Sequence, residues 1–483
     1  MEPVQLWGSG TLSKAATVTA QRRVNVYFEI RPDGDKANVV VHGLPGLTPE
    51  LTLSPTPNGP IRGAHGGESY FYLVAGDTLY RITTDFLTQT AFSGVILTTS
   101  VEVSMADNGT QLAIVDGTAG YLLTGFDTGT SALSLISDAD FPDGAKTITS
   151  LVGRFVVDNP STPGRFNISD SYDGTAWNGT NFATAEQNSD SLVAVDTYRG
   201  HLVLFGTRTT EPWQPVSALD FVFAPVTSGT QNWGLAAGFS RAKLNNMLYF
   251  LGQNAQGQAQ VLRINGWTVE VVSDSDVDNA VNSYGTKSDA VALSFVIDGH
   301  PMYQLSFPSA NKTWLYDAST QIWSERSTGA TGTDRHIGQH AVVVNGKTYI
   351  TDYRQSTPKV YRQDAAVYTD NSAVIKRIIA TRHLTKGGNR FTIDALRLEM
   401  ESGVGLETGQ GSDPQLMVEI SRDGGRSYDP EQWIDIGALG EYLTQVEVRR
   451  CGLADDFVFR FSMTDPVKFV ISRGLWKVHG RAQ

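Results

Sequence analysis

The stretch SYFYLVAGDTLYRI, residues 69–82, decides the fold, because it is the first of seven copies of one pattern. Each copy has an apolar strand, a polar turn and a second apolar strand ending in an aromatic or aliphatic residue. The others are QLAIVDGTAGYLL (111–123), RFVVDNPSTPGRFNI (154–168), HLVLFGTRTTEPW (201–213), MLYFLGQNAQGQAQVLRI (247–264), PMYQLSFPSANKTWLYD (301–317) and KTYITDYRQSTPKVY (347–361). The six intervals from Leu73 to Tyr349 average 46 residues, the length of one β-propeller blade. The pattern predicts a β-propeller; seven repeats are counted, and six blades are also compatible with it.

The pattern changes near Val374 to longer and more charged strands. Six alternating segments follow: VIKRIIATRHL (374–384), RFTIDALRLEME (390–401), PQLMVEISRDGG (414–425), TQVEVRRCG (444–452), FVFRFSM (457–463) and VKFVISRGLWKVHG (467–480). They predict a C-terminal β-sandwich or jelly-roll-like domain over residues 374–483, after a propeller over 61–373. Residues 1–60 are expected to be a strand-bearing arm, and the alternative that they complete a blade stays open.

Composition supports an all-β fold and excludes several functions. Apolar residues make up 40% of the chain, charged residues 18%, and there are 48 glycines, which is typical of turn-rich β proteins. The formal charge of −12 argues against a general DNA-gripping surface. The single cysteine, Cys451, excludes an intramolecular disulfide framework. We expect no membrane span, because no run of 18 apolar residues occurs, and no secretory signal, because the N-terminus lacks a basic start followed by an apolar run.

Two segments have the form of the Asp-box turn of sialidase-like propellers. They are SDSYDGTAW (169–177) and SRDGGRSY (421–428). That box is a hairpin-turn device remote from the catalytic centre. We therefore expect Asp173 and Asp423 to accept hydrogen bonds from the backbone of their own turns, and glycines there to adopt positive φ.

Two further patterns are candidates for metal binding. Alternate carboxylates at Asp274, Asp276 and Asp278 suit calcium, but Asn279 and Gly285 stand where a calcium loop needs glycine and glutamate, so a solvated acidic loop is favoured. The pair His336 and His340 precedes a predicted strand, where a spacing of four separates the rings by roughly 13 Å, so zinc is not expected.

The remaining motifs predict no catalytic, cofactor or metal site. Gly346-Lys347-Thr348 lacks the leading glycine of a phosphate loop and fits a hairpin turn. Cys451 has no evident base partner in the sequence. Several tryptophans fall late in a repeat and are expected to pack in the core or between blades, among them Trp267, Trp314 and Trp323.

The order of two variant blades carries a family resemblance. Residues 151–215 join a blade of the form gRfv…Fy.S…dg..W to one of the form l.g..v.rg.lylFG..ttE.w. This order resembles the tail hub, or nozzle, of short-tailed bacteriophages, the packaged-DNA stabilisation protein of Salmonella-type podoviruses. VHGLPGLTPE (41–50) and residues 282–325 are also similar to that family. Phe205, Gly206, Glu211 and Trp213 match its best motif, and we expect them to be fold-forming.

The resemblance implies a structural, non-enzymatic component of a virion tail. It implies a homohexameric ring below the portal adaptor ring, which closes the DNA exit channel and holds the tail needle or plug and the tail spikes or fibres. DNA is expected to pass through the lumen without specific binding, and an acidic wall would keep phosphates from sticking. Subunits are expected to assemble in the bacterial host cytoplasm.

Two alternatives are kept beside this hypothesis. The first is a glycan-binding or sialidase-like propeller tail protein, which a ring of carboxylates and arginines at the propeller mouth would favour. The second is an intracellular scaffold of the kelch type, which is weaker because the repeats lack that family's paired glycines and regular Tyr…Trp pattern.

Overall fold

The chain folds almost entirely into β-strands. The computed structural model describes residues 1–480 apart from residues 16, 33, 34, 36, 93, 94, 96, 99–101, 186–189, 218–220 and 355–357. Within these residues the helical segments are the α-helix Ser275–Ser283 and the 3₁₀ turn Thr227–Gly229.

Seven antiparallel sheets follow one another and form the blades of a propeller. In each blade the second and third strands are one of the seven hairpins found in the sequence, so the predicted repeat is confirmed. Blade 1 contains Ile61–Gly66, Tyr70–Ala75, Thr78–Thr83 and Gln89–Phe92; blade 2 contains Ser104–Asp107, Gln111–Val115, Gly120–Thr124 and Ala132–Leu135; blade 3 contains Ile148–Leu151, Arg154–Asp158, Arg165–Asp170 and Asp173–Thr184; blade 4 contains Leu192–Tyr198, His201–Gly206, Thr210–Pro215 and Phe223–Pro225.

The later blades follow the same plan with local changes. Blade 5 contains Gly234–Leu235 and Ala242–Leu244, which both pair with Met247–Gln253, and then Ala259–Asn265 and Thr268–Val271; blade 6 contains Val291–Ile297, His300–Phe307, Lys312–Asp317 and Ile322–Glu325; blade 7 contains Gly338–Val344, Lys347–Asp352 and Lys359–Asp364. The fourth strand of blade 7 is Gly46–Thr52, antiparallel to Lys359–Asp364, and the hairpin Thr369–Asp370 with Ala373–Val374 extends the same sheet beyond it. A strand from the N-terminal segment therefore completes the seventh blade and closes the ring.

Each interface between neighbouring blades contains its own apolar cluster. Between blades 4 and 5, for example, Phe205 packs edge-on against Phe250, with ring centroids 5.2 Å apart. The cluster between blades 5 and 6 buries Tyr249, Tyr303 and Trp323. Burial of one such side chain contributes roughly 1.5–3 kcal/mol. Because a blade buries its two faces only against its neighbours, a single blade should not be stable alone.

The C-terminal domain is a β-sandwich of two sheets, as the sequence predicts. Sandwich sheet 1 contains, in spatial order, Val26–Ile30, Val39–Gly43, Val470–Gly480, Phe391–Met400 and Val446–Ala454, and Glu2–Val4 also pairs with Val470–Gly480. Sandwich sheet 2 contains Arg23–Val24, Arg377–Ala380, Asp456–Met463, Gln415–Ser421 and Gln432–Asp435, and Leu384–Thr385 also pairs with Asp456–Met463. A short hairpin, Thr369–Asp370 with Ala373–Val374, lies between the two domains along the chain.

Residues 1–60, where an arm was expected, supply strands to both domains. Three of their strands belong to sandwich sheet 1 and one to sandwich sheet 2, while Gly46–Thr52 belongs to blade 7. Val24 pairs in parallel with Glu325 of blade 6 and antiparallel with Ile378 of the sandwich. Blade 6 and sandwich sheet 2 thus form one ten-stranded sheet that runs through both domains.

Side chains next to this strand reinforce the joint. The buried guanidinium of Arg23 donates to the carbonyl oxygens of Trp323 at 3.2 Å and of Gly10 at 2.5 Å. The amide of Asn25 donates to the carbonyl oxygens of Ser327 at 2.8 Å and Lys376 at 2.9 Å. These bonds cross the joint in both directions, so they resist separation of the two domains.

Candidate functional site

The two Asp-box segments form turns, as expected. Asp173 accepts a hydrogen bond from the backbone N–H of Thr175 at 2.9 Å. Asp423 accepts from the N–H groups of Arg426 and Ser427, both at 3.0 Å. Hydrogen bonds from the Ser427 hydroxyl, from these N–H groups and from the Ser421 hydroxyl lower the pKa of the Asp423 carboxyl. Positive φ is found at Gly424 and Gly425, whereas in the first box it falls on Tyr172. Both carboxylates are thus engaged in holding their own turns.

The acidic run at Asp274 is not the solvated loop that the sequence favours. It begins the helix Ser275–Ser283, and the Asp274 carboxylate caps that helix by accepting from the N–H groups of Asp276 and Val277. Asp278 lies on the side that faces blade 5, where it accepts from Gln260 at 2.6 Å. The run was misread because alternate acids, which suit a solvated loop, also suit the first turn of a helix.

His336 and His340 lie next to different carboxylates. Nε2 of His336 lies 3.5 Å from Asp370 Oδ2, and Nε2 of His340 lies 2.8 Å from Glu102 Oε2. Burial, with the nearby Arg326, lowers the pKa of His336 to about 4. Among the described residues, no group of three or more His, Cys, Asp or Glu side chains is arranged to hold a metal ion.

The remaining motifs noted in the sequence lie in a hairpin turn, in the sandwich core or in packed positions of the blades. Gly346 has φ of 72° in the turn that joins two paired strands of blade 7, as a hairpin requires. Cys451 is buried in the sandwich core, and burial raises the pKa of its thiol to about 12. The Trp323 indole N–H donates to the carbonyl of Val272 at 2.8 Å, and that of Trp314 donates to Tyr284 Oη at 3.0 Å.

The four family-motif residues lie in blade 4. Phe205, Glu211 and Trp213 are buried on neighbouring strands, and Phe205 and Trp213 each enter an inter-blade cluster. A side chain at Gly206 would meet the Asp190 carboxylate at 2.4 Å. These positions fit the fold-forming role expected for them.

A recurrent aspartate was missed by sequence reasoning. It lies within two residues of the end of the first strand of four hairpins, which is the second strand of the blade, in VAGD, IVDG, VVDN and ITDY, at positions 77, 116, 158 and 352. Asp116 accepts from the N–H groups of Thr98, Thr118 and Ala119. Asp158 accepts from the N–H of Thr147 at 2.6 Å. In blades 2 and 3 the carboxylate therefore binds the backbone of the segment that precedes the first strand of its blade. The repetition of Asp at this place in the hairpins is the sequence pattern that could have indicated this role.

One end of the sandwich exposes large apolar side chains. It is formed by residues 402–414 and 436–444, which we call the acidic end. Leu439, Tyr442 and Leu443 are 56%, 70% and 94% exposed there, and Leu406 of the other loop is 42% exposed. The two loops and the flanking Asp435 contain four acids and no lysine or arginine.

These side chains are held outward by an ordered loop. The N–H of Gly440 donates to the carbonyl of Gly403 at 3.1 Å, and Ser402 Oγ donates to the carbonyl of Tyr442 at 2.9 Å. The N–H of Gly437 donates to Asp435 Oδ1 at 2.7 Å. Exposure of Leu443 is thus a property of the folded loop.

The opposite end of the sandwich carries charges of both signs. Residues 382–390, which we call the basic loop, contain the exposed cations Arg382, Lys386 and Arg390. Asp455 lies 3.4 Å from Arg390, and Asp456 lies 2.6 Å from His383. Strand register places the two regions at opposite ends: Gln415 pairs with Asp435 beside the acidic end, whereas Leu384 of the basic loop pairs with Phe457.

The fold defines a β-propeller protein with a fused β-sandwich. Two family models match it: "Bacteriophage P22 Gp10, beta-propeller" over residues 7–365 and "Bacteriophage P22 Gp10, beta-sandwich" over residues 376–479. The chain therefore belongs to the bacteriophage P22 Gp10 family. The resemblance to phage tail-hub proteins inferred from the sequence is confirmed.

Three solved structures align with the chain at low TM-scores and low sequence identity. No curated protein matches the chain. The N-terminal domain of Nup159 aligns with a TM-score of 0.38 and 10% identity, covering 71% of this chain and 98% of that one. BamB from Moraxella catarrhalis aligns with a TM-score of 0.39 and 11% identity, covering 66% and 98%. The extracellular domain of BT4673 from B. thetaiotaomicron aligns with a TM-score of 0.44 and 6% identity, covering 80% and 47%. Among the described helices, none is both long and apolar enough to cross a membrane.

Proposed function

We propose that this chain is the structural tail hub of a short-tailed bacteriophage. In this role a ring of six copies extends the DNA exit channel below the portal adaptor, retains packaged DNA, and anchors the tail needle and the spikes or fibres. The observation that carries the proposal is the pair of family matches, which together span nearly the whole chain.

The connection between the two domains is consistent with a protein that must keep its shape under force. Blade 6 and sandwich sheet 2 share one hydrogen-bonded sheet, and Asn25 donates to the carbonyl oxygens of Ser327, just after blade 6, and Lys376, just before the sandwich strand Arg377–Ala380. Inter-domain interfaces that lack such continuity permit relative motion by default. A part that must hold its shape under the pressure of packaged DNA benefits from a continuous sheet.

The test is a phage that lacks only this chain. We expect its heads to fill with DNA and then lose it, and we expect complementation with the wild-type chain to restore retention and a six-fold ring at the tail vertex by electron microscopy. Virions that retain their DNA and tail vertex without the chain would overturn the proposal.

The proposal also treats the chain as non-enzymatic and the DNA as a passenger. The formal charge of −12 disfavours phosphate binding. We expect the purified chain neither to retard duplex DNA at physiological salt nor to release sugar from host polysaccharide. Tight DNA binding would contradict the first expectation, and sugar release would favour a glycan-cleaving tail protein instead.

A further inference from the structure

We propose that the connection between blades 6 and 7 is a pH-sensitive switch, which loosens the contact between propeller and sandwich when His336 takes up a second proton. The connection consists of residues 326–337, which we call the seam loop. The inference concerns a conformational change within one chain, so it holds or fails independently of the proposed tail role.

The seam loop is the part of the propeller against which the chain enters the sandwich. The N–H of Gly329 donates to the carbonyl of Val374 at 2.8 Å, and the N–H of Lys376 donates to the Gly329 carbonyl at 3.4 Å. These two partners directly precede the sandwich strand Arg377–Ala380. A displacement of the seam loop therefore reaches the sandwich through its own hydrogen bonds.

His336 holds the seam loop in the interior. Its side chain is 1% exposed, and Nδ1 accepts a hydrogen bond from the backbone N–H of Gly338 at 3.0 Å. Because Nδ1 is an acceptor, the single proton of the neutral ring lies on Nε2. Nε2 faces the carboxylate of Asp370, 3.5 Å away, in the short hairpin that precedes the sandwich. The ring thus lies between the seam loop and that hairpin.

The closed loop has no acceptor for a second proton on this ring. A proton added at Nδ1 of His336 would point at the N–H of Gly338, so a contact between two donors would replace the hydrogen bond. In water, by contrast, both N–H groups of an imidazolium find acceptors. The second proton therefore favours an open loop in which the ring is hydrated.

The charges around the ring act in the same direction. Burial and then the guanidinium of Arg326, at the end of blade 6, lower the pKa of His336 to about 4. The carboxylates of Asp370 in the hairpin and Asp352 in blade 7 oppose this shift. Asp370 also acts on a second buried cation, Arg377 of the sandwich. One nearby carboxylate thus serves two buried arginines, and a third buried cation is disfavoured.

The switch should operate between pH 6.5 and pH 4. The closed state is favoured fully above the ordinary pKa of 6.5, and this advantage is lost as the pH falls toward the closed-state pKa of about 4. The equilibrium constant for opening should rise about 20-fold between pH 7 and pH 5. Residues 330, 331, 333 and 334 are exposed, and the loop contains no helix or extended strand, so it can open without unfolding a blade.

Hydrogen exchange of the full-length chain at pH 7 and pH 5 tests the switch. Protection factors, which correct for the intrinsic effect of pH on exchange, measure opening at each amide. We expect protection of the N–H groups of Gly329, Gly338 and Lys376 to fall about 20-fold. Because a local opening exposes little surface, exchange at these amides should not respond to about 1 M urea, unlike exchange by global unfolding.

His336→Asn separates the switch from other effects of acid. The asparagine Oδ1 can accept from the N–H of Gly338 as Nδ1 does, and the amide does not titrate between pH 7 and pH 5. The 20-fold loss of protection should therefore disappear in this variant. The matched control is His479→Asn, where the native side chain is 64% exposed, and it should respond to acid as the wild type does.

The wild-type chain also allows a test without substitution. Nitrogen NMR of chain labelled at histidine should show the Nε2–H tautomer for His336 at pH 7. A proton on Nδ1 at that pH would overturn the inference, as would seam amides whose protection does not change with pH. An acid response that persists in His336→Asn would assign the effect to another group. Urea dependence as large as that of blades 2 and 3 would assign it to global unfolding.

Discussion

The propeller and the sandwich bury their apolar residues in different ways. The propeller divides its core among seven clusters of between 9 and 15 described buried residues, one at each blade interface. The sandwich has one continuous cluster of 26, which includes residues from both ends of the chain. Damage to one blade interface should therefore remain local, whereas damage to the sandwich core should reach every strand of that domain.

The largest expected effect tests this contrast at the two kinds of core. Phe459 lies between Phe457 and Phe461 in the sandwich, and Phe155 lies between blades 2 and 3. Phe459→Ala and Phe155→Ala should each lower the free energy of unfolding by about 3–5 kcal/mol in urea titrations. Hydrogen exchange should rise throughout residues 376–479 and 26–43 in the first variant, but only in blades 2 and 3 in the second.

The control for both is Leu135→Ala, at a position that is 52% exposed, which should change stability by less than about 0.5 kcal/mol. An even rise of exchange around the whole ring in Phe155→Ala would show that the propeller behaves as one core.

The second-largest effect concerns the recurrent aspartate of the propeller blades. Asp116→Ala leaves three backbone N–H donors without their acceptor, so the free energy of unfolding should fall by about 2–3 kcal/mol. Asp116→Asn, which keeps one acceptor oxygen, should recover part of this loss. Exposed Asp143→Ala is the control, and equal effects of Asp116→Ala and Asp143→Ala would remove the proposed role of the aspartate.

Acid should weaken the propeller through His336. Its folded pKa of about 4 lies below the ordinary value of 6.5, so the folded state binds fewer protons than the unfolded state between these values. This contribution to stability is present above pH 6.5 and is lost as the pH falls toward 4, by about 2 kcal/mol between pH 7 and pH 5. In His336→Gln the loss over this interval should be smaller by that amount, whereas His479→Gln, at an exposed position, should keep the wild-type slope.

The smallest effect concerns the outer face of sandwich sheet 1. Arg397 pairs with Glu447 across two strands at 2.7 Å. Arg397→Gln should lower stability by about 0.2–1 kcal/mol, and added salt should reduce the difference, because the pair is partly exposed to water. A loss that does not depend on salt would indicate lost packing of the arginine stem.

Local patterns allowed much of the fold to be predicted, and long-range pairing explains most of what was not. The seven hairpins depend on neighbouring residues, so their strands and period could be found in the sequence. The number of blades stayed open because the fourth strand of blade 7, Gly46–Thr52, lies more than 300 residues before its partner. Val26–Ile30 joins the sandwich through pairing with Val39–Gly43, which pairs with Val470–Gly480, and no local pattern indicates that contact.

The roles of individual turn residues were predicted better than the elements and surfaces to which other candidate residues belong. The turn roles of Asp173 and Asp423 follow from local spacing and were found. The helix at Ser275–Ser283 was missed, because its apolar side presents only Val277 and Val281 to the core. The acidic end could not be recognised, since nothing in ALGEYL (438–443) says that Leu439 and Leu443 point to water rather than into the sandwich.

The closing strand of blade 7 also sets an order of events during synthesis. Gly46–Thr52 leaves the ribosome about 300 residues before Lys359–Asp364, which is a wait of about 15–60 s at 5–20 residues per second. Val26–Ile30 waits longer still, for Val470–Gly480. Each domain can be completed only after its last strand has been made, Lys359–Asp364 for the propeller and Val470–Gly480 for the sandwich, and expression of residues 374–483 alone would yield a sandwich that lacks its N-terminal strands.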